Sequence, residues 1–183
     1  MRVIMTLKKI ADYKPFPTKV MLVKTLIFPI FNYCDIVTPD MTVQLLQRMQ
    51  CAHNYCVRFI FNLRRDDHVT EYFDRLKLMR LHDCRAFHTL LFVHNVLKTG
   101  TPKYIAEDFC YLSDIGRECT RHGSHLLAVP THRTVMFNKS FLVTACGLWS
   151  SLPAELKRIE GRRRFGAAVS RWMRSGGGGW AQR

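Results

Sequence analysis

The segment "MTVQLLQRMQCAHNYCVRFIF" constrains the fold more than any other. Leu45, Leu46, Met49, Ala52, Cys56, Phe59 and Ile60 recur there at three- and four-residue spacing. Gln44, Gln47, Arg48, Gln50, Asn54 and Arg58 take the other face. Such a stripe has to be covered, and its period is that of a helix, so the chain is expected to be built by helix packing. The partners expected for the stripe are a helix near Val20–Phe31 and another near Phe87–Leu97.

The flanking segments carry the same grammar. "PFPTKVMLVKTLIFPIFNY" spaces Val20, Val23, Ile27, Ile30 and Phe31 as a helix does, with Thr18 as the expected N-cap and Pro29 as a kink or stop near the last turn. Asp40 is the expected cap of the central helix. "LHDCRAFHTLLFVHNVLKTG" reads as a long helix stopped at Gly100, and Pro102 opens a short one. From Cys110 to Asn138 the pattern lapses into Gly, Ser, Thr and His, with β-compatible runs at Leu126–Val129 and Thr134–Phe137. Ser140 is placed to cap "FLVTACGLWSSLP", and "ELKRIEGRRRFGAAVSRWMR" reads as a last, basic helix. The expected class is mainly α: a helical region over 1–110, a C-terminal region over 111–174 that is irregular and partly extended before its basic helix, and a flexible tail over 175–183.

Charge narrows the partners. The 183 residues are 48% apolar, as in a folded protein, yet Lys and Arg number 28 against 14 Asp and Glu, a net charge of +14. That excess attracts polyanions. It is concentrated in two nearly one-signed clusters. Arg2, Lys8, Lys9, Lys14, Lys19 and Lys24 face Asp12 alone, and Lys157, Arg158, Arg162, Arg163, Arg164, Arg171 and Arg174 outnumber Glu155 and Glu160. Solubility asks for mixed signs, so these clusters point to phosphate contact, which reads no sequence. Trp149 belongs to the core by its context, while Trp172 and Trp180 are free to be placed near bases. No membrane partner is expected, because the longest apolar stretch, "VMLVKTLIFPIF", is short, holds Lys24 and is broken by Pro29. The first fifteen residues turn polar too early for a secretory signal, and seven cysteines without framework spacing read as reduced thiols. The setting expected is intracellular, nuclear or cytoplasmic.

Two features invite a catalytic or metal reading. "RRDDH" sets Asp66 beside Asp67, the pairing a two-metal phosphoryl-transfer site uses. No apolar strands flank the pair, and Asp66, Asp67 or Thr70 is placed to start the helix of "HVTEYF", so a structural role is expected. Cys110, Cys119, His122, His125 and His132 are soft or borderline ligands, but their spacings are not those of zinc modules. Cys51 and Cys56 read as small buried apolar residues. No nucleophile elbow, triad context or phosphate loop stands out, and no metal, cofactor or small-molecule substrate is expected.

Four stretches, in order, resemble one family. "KVMLVKTLIFPIFNYCDIV" resembles the helix and turn after the palm in reverse transcriptases of non-LTR retrotransposons of the jockey-like kind. "LLQRMQCAHNYCVRFIFNLRRDDHV" resembles the next helix there, with its arginine-aspartate-histidine turn. "GTPKYIAEDF" and "RTVMFNKSFLVTACGLWSSLPAELK" resemble the far C-terminal signature of that family. The likeness spans roughly residues 6 to 170. It implies a thumb and post-thumb region, from a parent that carries out RNA-directed DNA polymerisation. The palm motif, an aromatic-x-Asp-Asp, does not occur in this sequence, and the expectation is a chain without the family's N-terminal endonuclease. The expectation is therefore a non-catalytic fragment that holds an RNA or DNA backbone through Lys8, Lys9, Lys19, Lys24, Lys157, Arg158, Arg162, Arg163, Arg164, Arg171 and Arg174. The alternative is a helical protein-interaction module, or a relic with no specific partner.

Overall fold

The computed structural model describes residues 6, 14–37, 41–115 and 126–177. Among them the fold is mainly α, and the one extended pairing is a bridge between Tyr111 and Leu127. The chain divides into two compact units, Met1–Asp35 with Met41–Cys84, and Ile36–Asp40 with Arg85–Arg183. Along the chain the division falls between Cys84 and Arg85.

The first unit is built on helices α1 (Phe16–Leu22), α2 (Phe28–Asn32), α3 (Val43–Phe61) and α4 (Thr70–Arg75). Thr18 does not cap α1. The helix starts three residues earlier, with Pro15 at the N-cap position and no side-chain cap, because Pro17 fits the first turn where its missing N–H is not needed. Pro29 leaves a π-turn over Val23–Ile27 before α2 instead of ending the helix. The run Phe16–Val37 thereby reaches 22 residues, and an 18-residue window of it has a mean hydropathy of 1.6, long and apolar enough by length and composition to cross a membrane, so the length argument made from the sequence does not hold. Val23 and Ile27 from this run pack with Cys56, Phe59 and Ile60 of α3, as the two stripes require. Leu45, at the start of the α3 stripe, is exposed.

Local capping differs from expectation in two places. Thr42 caps α3, its hydroxyl accepting from the Leu45 amide at 3.4 Å, and Asp40 lies outside the described residues. Neither Asp66 nor Asp67 caps α4, whose N-cap residue is Val69. The Asp67 carboxylate accepts from the Arg64 amide at 2.7 Å, and the Asp67 carbonyl accepts from Arg58 at 3.1 Å. The turn of "RRDD" satisfies itself before the helix begins, which removes the acid from the helix start. Asn62 ends α3 in the left-handed conformation, at φ 55°.

The second unit gathers the rest of α5 (Leu81–Thr99) with α6 (Lys103–Ala106), α7 (Val135–Asn138), α8 (Phe141–Ser151), α9 (Ala154–Lys157) and α10 (Arg162–Trp172). Leu90, Val93 and Val96 of α5 share one core with Phe109, Leu127, Trp149, Phe165 and Val169. That shared core is why the division cuts within α5. Thr134 caps α7, so the run expected to be extended at Thr134–Phe137 is helical instead. Leu126–Ala128 does pair with Cys110–Leu112, through amide bonds of 3.0 and 2.8 Å. Ser140 caps α8 as the sequence requires.

The C-terminal basic segment is two helices and not one. Gly161 stands between α9 and α10 at φ 86°, a conformation that side chains resist, and it breaks the run. Inside α10, a Cβ on Gly166 would meet Leu91 Cδ2 at 3.2 Å, so the missing side chain lets α10 lie close on α5. The tail expected over 175–183 falls largely outside the described residues, which end at Gly177.

Candidate nucleic-acid interface

Helix α10 is held by one face. Phe165 and Val169 are fully buried, and Trp172 is half-buried. The Phe165 ring stacks on His94 of α5 at 4.0 Å and 14°. His94 Nε2 is 2.9 Å from the Ile159 carbonyl, which ties the loop before α10 to the same histidine. Burial lowers the His94 pKa against the opposing effect of that carbonyl, and Lys98 adds to the lowering, so the stacked ring is the neutral form.

The arginines follow from this anchoring. At about 100° per residue, Arg163, Ala167 and Arg174 lie opposite Phe165 and Val169, and Arg164 and Arg171 share one edge about 10 Å apart along the axis. Arg162 sits at the first helical position. All five are exposed. No carboxylate lies within ion-pair distance of any of them among the described residues. Arg174 is bound to Ser170, its Nε donating to the carbonyl and an Nη2 hydrogen to the hydroxyl, both at 3.1 Å. The first turn of α10 has no acid and no side-chain cap. Three arginines there meet the positive end of the helix dipole, a placement that costs about 0.3–1 kcal/mol per charge when exposed.

The remaining expected contacts scatter. Lys157 is half-buried, its Nζ donating to the Ser150 carbonyl at 3.2 Å, and burial lowers its pKa. Arg158 is exposed beside it. In the first unit Lys24 is exposed, but Lys19 is only 4% exposed. Its Nζ donates to Asn62 Oδ1 at 2.6 Å and lies 5.9 Å from the centre of the Phe59 ring. Lys19 is therefore a packing residue, because it shares a helical face with Val23 and Ile27. Lys8 and Lys9 lie outside the described residues. Sequence reasoning missed Lys98, which lines a cavity with Lys157 and Arg158. Its only signal was a cation in the last turn before Gly100.

Among the described residues no three His, Cys, Asp or Glu side chains gather at a metal-binding distance. Cys119, His122 and His125 lie outside those residues, Cys110 is exposed, and His132 is engaged with Pro130 and Asn138. Cys56 is buried and its thiol is pushed up to about 12 by burial, so it behaves as an apolar filler, whereas Cys51 is exposed against expectation. Trp149 is core, at 4% exposure. No protein family, curated protein or solved structure matches the chain.

Proposed function

We propose that the chain is a non-catalytic piece of a retrotransposon reverse transcriptase and grips an RNA or DNA backbone through α10. The family part of this reading rests on the four ordered stretches quoted above. The contact part rests on one observation: three adjacent arginines at the start of an anchored helix, without carboxylate partners among the described residues, placed where the dipole makes them unfavourable. Charges held against local stability are accounted for by an anionic partner. The Phe165 and His94 stack orients the helix, and cations fanned around a rigid support suit phosphates and not base edges.

If Arg162, Arg163, Arg164, Arg171 and Arg174 each neutralise one phosphate of a duplex, the log–log salt dependence of binding has a slope of about −4 to −5. Replacing Arg162, Arg163 and Arg164 together by Gln flattens it by about two to three and weakens all sequences alike. Fluorescence anisotropy with two unrelated duplexes across a salt series measures this. An unchanged slope moves the contact away from α10.

A second reading draws on a different observation. Met21, Leu26, Ile30, Tyr33 and Val37 are exposed on one short segment of the first unit, Tyr33 at 81%. An apolar surface of that kind fits a helical protein-interaction module. Association that ignores salt, with no polyanion binding, is its signature.

A further inference from the structure

In the second unit a cavity of about 260 Å³ is lined by Leu97, Lys98, Tyr111, Trp149, Lys157 and Arg158. Three of these six are cations and none is a carboxylate. Lys157 spends one ammonium hydrogen on the Ser150 carbonyl and keeps two. Trp149 closes the cavity on one side and is 4% exposed, so a group bound there lies against its ring and is reported by it. Burial, and with it the charge of Asp114, raises the Tyr111 hydroxyl above its ordinary pKa, so the phenol remains a donor as well.

The lining side chains thus offer donors and positive charge and no carboxylate. What fills the cavity has to bring several acceptor atoms and negative charge in a small volume. A phosphate group does so with three oxygens and up to two charges, and cations with rotatable N–H donors suit it. The volume is below the ~300–1,000 Å³ of drug-sized sites, which favours a single phosphate with little attached. We propose that this cavity binds a phosphate monoester, with Lys98, Lys157 and Arg158 neutralising its charge beside the Trp149 ring. The site is separate from the α10 arginines, none of which lines it, and it stands whether or not they grip a duplex. Two sources share this chemistry, a free small phosphate ester and the terminal phosphate of a nucleic-acid strand.

Nitrogen-15 spectra of the full chain test the proposal through the Trp149 indole resonance, assigned by elimination with Trp172→Phe and Trp180→Phe. Inorganic phosphate and 5′-AMP are expected to shift it to saturation, and adenosine to leave it in place. Lys98→Gln with Arg158→Gln is expected to weaken both titrations at least tenfold. Lys98 and Arg158 are exposed, so the double variant keeps its fold, which the remainder of the spectrum verifies. Displacement of 5′-AMP by a 5′-phosphorylated oligonucleotide, and not by its 5′-hydroxyl form, assigns the strand end, and failure of both assigns the free ester. A Trp149 resonance unmoved at millimolar phosphate and 5′-AMP overturns the proposal. So does an equal response to adenosine, or an undiminished response in the double variant. None of these results touches the salt slope of duplex binding, which tests α10 by itself.

Discussion

The two units treat their cations in opposite ways. In the first, Lys19 is drawn inside, with Nζ on Asn62 and its stem along the face that holds Val23 and Ile27. In the second, Arg163 and Arg174 stand on the side away from Phe165 and Val169, and all five C-terminal arginines remain exposed. Both regions look alike when charges are counted. Their difference is one of helical phase. A cation four residues before a core valine is on the buried face and becomes part of the packing, with its stem covered and its head on one polar atom. A cation on the opposite face has no such partner and remains available to a polyanion.

This contrast depends on both cores holding their helices in phase, so the largest effects come from breaking the cores. Phe165→Ala should cost about 3–5 kcal/mol, since it removes a fully buried ring and the stack on His94. Phe59→Ala should cost a similar amount in the first unit, where Phe59 packs with Val23 and Ile27. Amide exchange reads each separately, in α10 for the first variant and in α1 and α3 for the second. A loss no greater than that of a surface substitution in either place would mean that the corresponding face is not held in phase.

Each unit also buries a histidine, and their pH responses differ in size. His53 lies among the rings of Phe28, Phe31 and Phe73, with centroids at 5.0, 5.6 and 5.2 Å, and its Nδ1 has no partner among the described residues. Burial pushes its pKa down from 6.5 to about 4. Between these values the unfolded chain takes up a proton that the folded ring refuses, so stability is full above pH 6.5 and declines as pH falls. The decline amounts to about 3 kcal/mol by pH 4. His94 is lowered too, but its carbonyl partner opposes the shift, so its share is smaller. Urea unfolding at pH 7.5 and pH 4 should show a drop that His53→Leu reduces more than His94→Leu does. Equal reductions would put the two rings in equivalent environments.

Much of the scaffold was legible because periodicity is written in side chains. The α3 stripe, the Ser140 cap, the stop at Gly100 and the docking of Phe165, Val169 and Trp172 all follow from spacing. His53 was missed because a histidine next to Asn54 looks like surface, although it sits four residues after Met49 and three before Cys56, on the stripe itself. The roles of Asp67 and Thr42 were decided by turn geometry within a few residues, where several side chains compete for the same amides. Gly161 was legible as a glycine but not as a break, because its positive φ is a property of the folded loop. Lys98, Lys157 and Arg158 come together from positions about sixty residues apart, and no local pattern marks such a meeting.

The smallest expected effect isolates the contrast between the two kinds of cation. Lys19→Gln removes one charge and leaves Asn62 Oδ1 exposed to water, so the amide is rehydrated instead of stranded. Because the Lys19 head is already satisfied and its stem covered, it releases no counterion from a polyanion, and the salt slope should be unchanged. Arg164→Gln removes the same single charge from an exposed position and should flatten the slope by about 0.9 if one duplex phosphate is lost. Net charge falls equally in the two variants, so a general attraction between a +14 chain and a polyanion predicts equal effects. A flat response to Lys19→Gln beside a measurable one to Arg164→Gln would assign binding to a positioned face. Equal flattening would return it to bulk charge, and helical phase would then explain the packing of Lys19 but not the binding.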